Sequence, residues 1–318
     1  MKVLITGVNS YIGARLLPVL LEKGHEVTCL VRNKRRFMQN SDFGDQVQII
    51  TGDLLKEISI QPIPPDIDAA YYLVNSPAAA PEFSRMEALS AHNFVRALNL
   101  TNCKQLIFLS DIENKEQPSQ QTASRRVVKD ILCEAHASLT ILRTSVVIGS
   151  GSPAFEVIRQ VAEKLSIIIA PASVKTKCQP IATTDVLSYL EGVLLNPKSF
   201  NQTFDIGGPD IFSFKELILT YAKMHNMERR IIVLPFSSPW LSAYWLRLVS
   251  MGSHQNTQSF VNSMAHETVM KDHRIDDAVQ HICLTCEQAL TLASIRADNH
   301  ISTKQKLKSG VTIKKQFH

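Results

Sequence analysis

The sequence predicts an α/β fold: a doubly wound parallel sheet with a smaller C-terminal region suited to substrate. Three observations carry that expectation. Short apolar runs alternate with amphipathic helical patterns over the first 145 or so of 318 residues. A glycine-punctuated turn follows the first run. The pattern changes after Arg143, where strands become shorter and sparser. A chain of this length buries a sizeable core as one large domain or as a domain with an appended region.

The elements follow in order. Lys2–Ile5 reads as a buried strand ending in Thr6-Gly7. Tyr11–Lys23 carries Ile12, Leu16, Leu17, Leu20 and Leu21 at helical spacing, and Gly24 is placed to stop it. Pro18 inside that pattern should kink the helix or cost it a bond. Further strands are expected at Glu26–Val31, Val47–Ile50, Ala69–Val74, Gln105–Leu109 and Leu139–Arg143. Helices are expected at Glu82–Leu100 and Ser124–His136. Strands separated by helices pair in parallel through right-handed crossovers. Beyond Arg143 the sequence predicts a helix over Ala154–Leu165, a strand at Ile167–Ala170 and a helix from Thr183 or Thr184 to about Leu195. A strand at Thr203–Ile206, a helix opened by the capping box Ser213–Glu216 and a strand at Arg230–Leu234 follow. The expected division is 1–150 for nucleotide binding (completed by about 180–210), 151–295 for substrate or a lid, and 296–318 as a basic, disordered tail.

The segment Gly7-Val8-Asn9-Ser10-Tyr11-Ile12-Gly13 lies between the first strand and the first helix. There Gly7 allows a sharp turn and Gly13 lets the helix approach the sheet. A pyrophosphate would meet free backbone N–H groups and the positive end of the helix, the Rossmann arrangement. Ser10 stands where a third glycine is usual. The end of the second strand selects the cofactor. An acid there would bind a ribose 2′-hydroxyl; this chain has Arg32, then Lys34, Arg35 and Arg36, and no acid until Asp42. Guanidinium groups suit a 2′-phosphate, so NADP(H) is expected ahead of NAD(H). Gly52-Asp53-Leu54 follows the third strand, and Asp53 can accept from an adenine amino group.

These residues make the chain similar to the short-chain dehydrogenase/reductase superfamily in its extended and atypical branches. The resemblance covers roughly residues 1–235. It rests on Ile5-Thr6-Gly7, Tyr11-Ile12-Gly13, Gly52-Asp53-Leu54, Leu142-Arg143 with Gly149, Asp185-Val186 and Phe204–Pro209. Tyr71–Val74, Ile148–Ser152 and Cys178–Ile181 resemble a bacterial NmrA-like group related to the complex-I 39-kDa subunit. The resemblance implies that Gly7, Asn9, Ser10, Tyr11, Ile12 and Gly13 meet the pyrophosphate and Arg32 the 2′-phosphate. It implies Asp53 and Leu54 at the adenine, Val74 and Asn75 at the ribose, and Thr144–Val146 beside the nicotinamide.

The superfamily's acid/base tyrosine and ribose-binding lysine, four residues apart, are missing. The matching register puts Gln121 and Arg125 there. Glutamine exchanges no proton near neutral pH, and arginine binds but stays charged. Ser110, Asp111 and Glu113 are the remaining candidates, Asp111 and Glu113 as acid/base groups; solvated loop carboxylates are the ordinary reading of that pair.

The remaining signals are weaker. A net charge of +5 with interspersed signs favours small anionic ligands over nucleic acid. His281, Cys283 and Cys286 supply three metal ligands without a second knuckle, so no metal is expected. Residues 239–249 hold both tryptophans and, with the basic tail, allow peripheral membrane contact; core or lid packing is the ordinary reading. No secretory pattern precedes the first strand, no apolar run reaches the length of a span, and the cysteines are scattered, so a cytoplasmic location is expected, with membrane association as the variant. The function expected is an NADP(H)-dependent oxidoreductase or isomerase acting on a small, lipophilic, quinone- or isoprenoid-like substrate. The alternative is a non-catalytic NADP(H)-binding redox sensor or assembly partner of another protein. Sugar-nucleotide epimerase or dehydratase chemistry ranks last, because it needs the tyrosine.

Overall fold

The computed structural model describes residues 1–56, 59–74, 82–112, 120–234, 264 and 266–308, with the backbone alone for 120–121 and 298–308. Its strands are β1 (Lys2–Thr6), β2 (Glu26–Val31), β3 (Gln48–Thr51), β4 (Ala69–Tyr72), β5 (Gln105–Asp111), β6 (Ser138–Thr144), β7 (Val147–Ile148), β8 (Ile167–Pro171), β9 (Lys177–Cys178), β10 (Ile181–Ala182), β11 (Thr203–Ile206), β12 (Phe212–Ser213) and β13 (Arg230–Leu234). The helices are α1 (Gly13–Glu22), α2 (Lys34–Asn40), α3 (Phe83–Leu98), α4 (Gln120–Leu132), α5 (Pro153–Lys164), α6 (Thr183–Gly192), α7 (Phe214–Met224), α8 (Ile275–Ala278) and α9 (Cys286–Lys308).

The central sheet has seven parallel strands in the order β11-β6-β5-β4-β1-β2-β3. The chain leaves β1 in one direction through β2 and β3, then returns to its other side at β4. The switch point between β1 and β4 opens a crevice at the carboxyl ends of the strands, where ligands of open α/β sheets bind. Both faces of the sheet are covered. Leu16, Leu17, Leu20, Tyr189 and Leu190 pack on one side, and Phe94, Val95, Leu98, Val128 and Leu132 on the other. A separate core in the C-terminal half joins Phe155, Ile158, Val161, Phe214, Leu217, Tyr221 and Leu290. There β8 pairs in parallel with β13, and α5 lies against α7.

Several boundaries differ from expectation for identifiable reasons. Residues 34–40 form α2, a helix the sequence reading did not include, because the Asn33 side chain accepts from the Arg36 N–H and caps the helix. β5 runs on to Asp111, which pairs in register with Thr144. Asp111 is therefore part of the ladder and not a free loop carboxylate. α1 continues through Pro18, whose ring borders a cavity. Residues 296–308, expected to lack regular structure, have helical backbone as the end of α9. Residues 309–318 and the segment 239–249 lie outside the described residues. No helix among the described residues is long and apolar enough to cross a membrane.

Candidate nucleotide site

The crevice at the switch point is a groove of about 300 Å³. Gly7, Val8, Asn9 and Ser10 line it from the turn after β1, Arg32 from the end of β2, Asp53 and Leu54 from the turn after β3, and Val74 from the turn after β4. Sequence reasoning placed all of these except Val8 around a nucleotide. Asn75 lies outside the described residues.

Two glycines make the groove. Gly7 has φ +79°, and a Cβ there would stand 2.3 Å from the Leu73 carbonyl oxygen. A Cβ on Gly13 would stand 2.4 Å from the Gly7 carbonyl oxygen. The turn therefore sits directly on β4, and α1 directly on the turn. Ser10 Oγ accepts from the Gly13 N–H at 3.1 Å, so this serine caps the helix where a glycine would leave that donor free. The N–H groups of Tyr11 and Ile12 have no partner among the described residues and lie at the helix end where an anion is stabilised.

The Tyr11 side chain does not share the groove. Its hydroxyl is 2.9 Å from Thr183 Oγ1, and Arg15 lies 3.8 Å over its ring. It faces a larger cavity of about 510 Å³ on the other flank of α1. The Tyr11 side chain, expected at a pyrophosphate, is turned away from the groove.

Asp53 Oδ1 accepts from the Leu55 N–H at 3.1 Å, which shapes the turn and leaves its second oxygen for a base. The Asn93 side chain donates to the Leu54 carbonyl at 2.8 Å and holds that turn against α3. Arg32 is exposed at the mouth of the groove. Met86 and Ser90 of α3 also line the groove and were not foreseen. Their signal was available: Glu87, Ser90 and Asn93 put polar side chains on the buried stripe of α3, where apolar ones are the rule.

Thr144 and Val146, expected beside the nicotinamide, lie at and just beyond the carboxyl end of β6, next to the end of β5. Thr144 Oγ1 is buried with no hydrogen-bond partner among the described residues. Such a group is expensive to leave unsatisfied, and a ligand amide is one chemistry that would satisfy it. The tight turn, the helix N–H groups without a partner among the described residues, and Arg32 make the groove fit a nucleotide. Val146 is buried, and its carbonyl accepts from Ile181. Ser110 is buried. Burial raises the Asp111 carboxyl above its ordinary pKa, and nearby Arg125 opposes that rise.

Arg125 is where the family's lysine would be, but it is packed into the fold. Its side chain is 8% exposed, 3.9 Å from the Glu87 carboxylate, itself 2% exposed. Nη1 donates to the Val74 carbonyl at 3.1 Å, and the guanidinium lies 5.8 Å from the Phe108 ring. The Ser124 hydroxyl donates to Glu87 at 2.7 Å. Gln121 lies in α4, but its side chain is outside the described residues. The two tyrosines of β4 offer no substitute acid: the Tyr71 hydroxyl donates to the Leu190 carbonyl, and Tyr72 is buried between Phe94 and Phe108.

The remaining motifs hold the C-terminal half in place. Arg143 pairs with Asp205 at 2.7 Å, and Asp205 also accepts from the Lys271 N–H. Gln179 donates to the Gly208 carbonyl and accepts from the Met270 N–H.

The family described as NAD(P)H-binding matches residues 7–147. This stretch contains the switch-point groove. Over this stretch the chain is similar to NAD(P)H-binding proteins. Among curated proteins, the photosystem II assembly factor Ycf39 of Synechocystis sp. is 24% identical over 147 residues, 45% of this chain and 44% of that protein. Subunit 9 of the NADH dehydrogenase [ubiquinone] 1 alpha subcomplex of Arabidopsis thaliana is 25% identical over 120 residues, 37% of this chain and 30% of that protein. The chain thus spans less than half the length of these curated relatives. A nucleoside-diphosphate-sugar epimerase from Staphylococcus aureus superposes with TM-score 0.71 at 15% identity, over 91% of this chain and 99% of that one. A short-chain dehydrogenase/reductase superfamily protein from Agrobacterium tumefaciens, solved with bound NAD, gives TM-score 0.66 at 12% identity, over 96% of this chain and all of that one. At such identities the likeness is one of fold.

Proposed function

We propose that the chain binds NADP(H) and uses the bound nucleotide as a signal or a structural ligand, responding to its redox state rather than turning over a ketone or sugar substrate. The observation that carries this reading is Arg125. At the position of the family's lysine it is neutralised by buried Glu87 and tethered to Val74. It is tied into the wall of the groove, the acid it faces is Asp111 rather than a tyrosine, and Gln121 has no proton to give. Arg32, without an acidic neighbour at the end of β2, favours the 2′-phosphate. Both curated relatives are named for a place in a large photosynthetic or respiratory assembly, which makes a protein partner the first one to seek.

The test compares NADP⁺ and NADPH. A sensor must bind the two differently, since a ligand shifts only the equilibrium it binds differentially. Affinities differing at least about tenfold, with a partner protein captured in only one redox state, are expected. Equal affinities together with NADPH oxidation by an acceptor would overturn the reading.

One observation favours a second reading. Asp111, whose carboxyl burial raises above its ordinary pKa, pairs in register with Thr144 and is the candidate proton donor to an acceptor that needs little help, such as a quinone. A lipophilic oxidoreductase of that kind predicts NADPH oxidation by soluble quinones, abolished by Asp111→Asn.

A further inference from the structure

We propose that Asp185, His281 and Cys283 form a binding site for a divalent metal of the zinc type, independent of the nucleotide groove. His281 and Cys283 stand two residues apart in an irregular stretch before α9. Their donor atoms lie together, whereas Ile282 between them is 93% exposed. Asp185, in the first turn of α6, comes to them across the fold. Its Oδ1 lies 3.0 Å from His281 Nε2, and the donor atoms of all three residues lie within 4.8 Å of one another. Ligands around tetrahedral zinc stand about 3.3–3.8 Å apart, given its bond lengths to nitrogen, oxygen and sulfur. Small rotations of the His281 and Cys283 side chains would close the set.

Outer contacts are already in place. The Leu284 N–H donates to Asp185 Oδ2 at 2.9 Å, which fixes the carboxylate and turns Oδ1 toward the site. The Tyr189 hydroxyl is 3.4 Å from Cys283 Sγ and can donate to a thiolate there. Its ring meets the His281 imidazole edge-on, with centroids 5.3 Å apart. Partners of this kind orient metal ligands and raise affinity. Asp185 is 4% exposed and His281 24%, so the site opens on the histidine side, where a water would be the fourth ligand. The sequence pairing of Cys283 with Cys286 does not survive. Cys283 packs at the edge of the sheet core and Cys286 belongs to the C-terminal core, so the structure replaces Cys286 with Asp185. The histidine–aspartate hydrogen bond alone gives no role to a sulfur at this place. Metal binding replaces that bond and releases the Cys283 thiol proton to solvent.

The test is titration of the reduced full chain with Co²⁺ and then Zn²⁺ near neutral pH. One equivalent of Co²⁺ should give a thiolate-to-metal charge-transfer band with tetrahedral visible bands, and Zn²⁺ should displace them. Cys283→Ser should abolish the charge-transfer band. His281→Gln, at the exposed side of the site, should weaken binding about 100-fold with an unchanged circular dichroism spectrum. Tyr189→Phe should keep the band with about tenfold lower affinity. Absence of the band in the parent protein, or its survival in Cys283→Ser, would overturn the proposal, because the metal would then sit on other thiols or on none.

Discussion

At the residue scale, the groove depends on atoms that are absent. Gly7→Ala would force a left-handed backbone on alanine, worth about 1–3 kcal/mol, and drive its methyl into the Leu73 carbonyl. Denaturant unfolding should register a loss of at least that size, and nucleotide titration should register no binding. The Arg125–Glu87 pair makes a second prediction. Removing one partner of a buried pair is destabilising, so Arg125→Leu should cost up to about 3 kcal/mol, with Ser124 still donating to Glu87. Adding Glu87→Leu should recover part of that loss; full additivity of the two losses would show that they do not act as a pair. Asp111 makes a third. Its folded pKa is raised above the ordinary 3.8. Its contribution to stability is therefore full below that value and is lost as pH rises through the folded pKa. Asp111→Asn should stabilise the fold at neutral pH, with the advantage shrinking in acid; a pH-independent difference would contradict the assignment. The tight turn was legible, because Gly7 and Gly13 act through local backbone, and so was the position of Arg32 and Asp53 at strand ends that line the groove. Tyr11 was not, since its direction is set by Thr183, far along the chain. Nor was the pairing of Arg125 with Glu87, which needs α3 against α4.

At the element scale, apolar periodicity located the strands of the central sheet and most of the helices, because burial on both faces writes long unambiguous runs. It failed where polar chemistry sets the boundary. α2 has only Phe37 buried and depends on its Asn33 cap. β5 continues into Ser110 and Asp111 because the ladder to β6 continues, although the apolar run has ended. The capping box on α7 was visible in the sequence and is present in the structure, with Ser213 and Glu216 satisfying each other's backbone N–H groups. Ser213→Ala should cost about 1 kcal/mol by thermal or denaturant unfolding. Bonds from Ser213 hold the Glu216 carboxyl below its ordinary value, so this contribution is present above that value and fades as pH falls through the lowered one. The difference between parent and variant should shrink in acid.

At the scale of the whole molecule, strand order is the fact that carries function. Reversal at β1 and β4 gathers four strand ends into one crevice, and the residues at those ends are the ones whose chemistry suits a dinucleotide. The sequence could announce the turn, the basic residue and the acid separately. Only the topology brings them within one groove, and only the topology brings Asp185 to His281. The central claim is that this groove takes a nicotinamide dinucleotide with a 2′-phosphate. Calorimetric titration of the protein with NADPH, NADP⁺, NADH and NAD⁺, with Arg32→Ala alongside, tests it most directly. The account predicts that the phosphorylated pair binds at least about tenfold more tightly than the other pair, a difference of about 1.4 kcal/mol, and that Arg32→Ala removes it. Equal binding of all four, unchanged by Arg32→Ala, would contradict it.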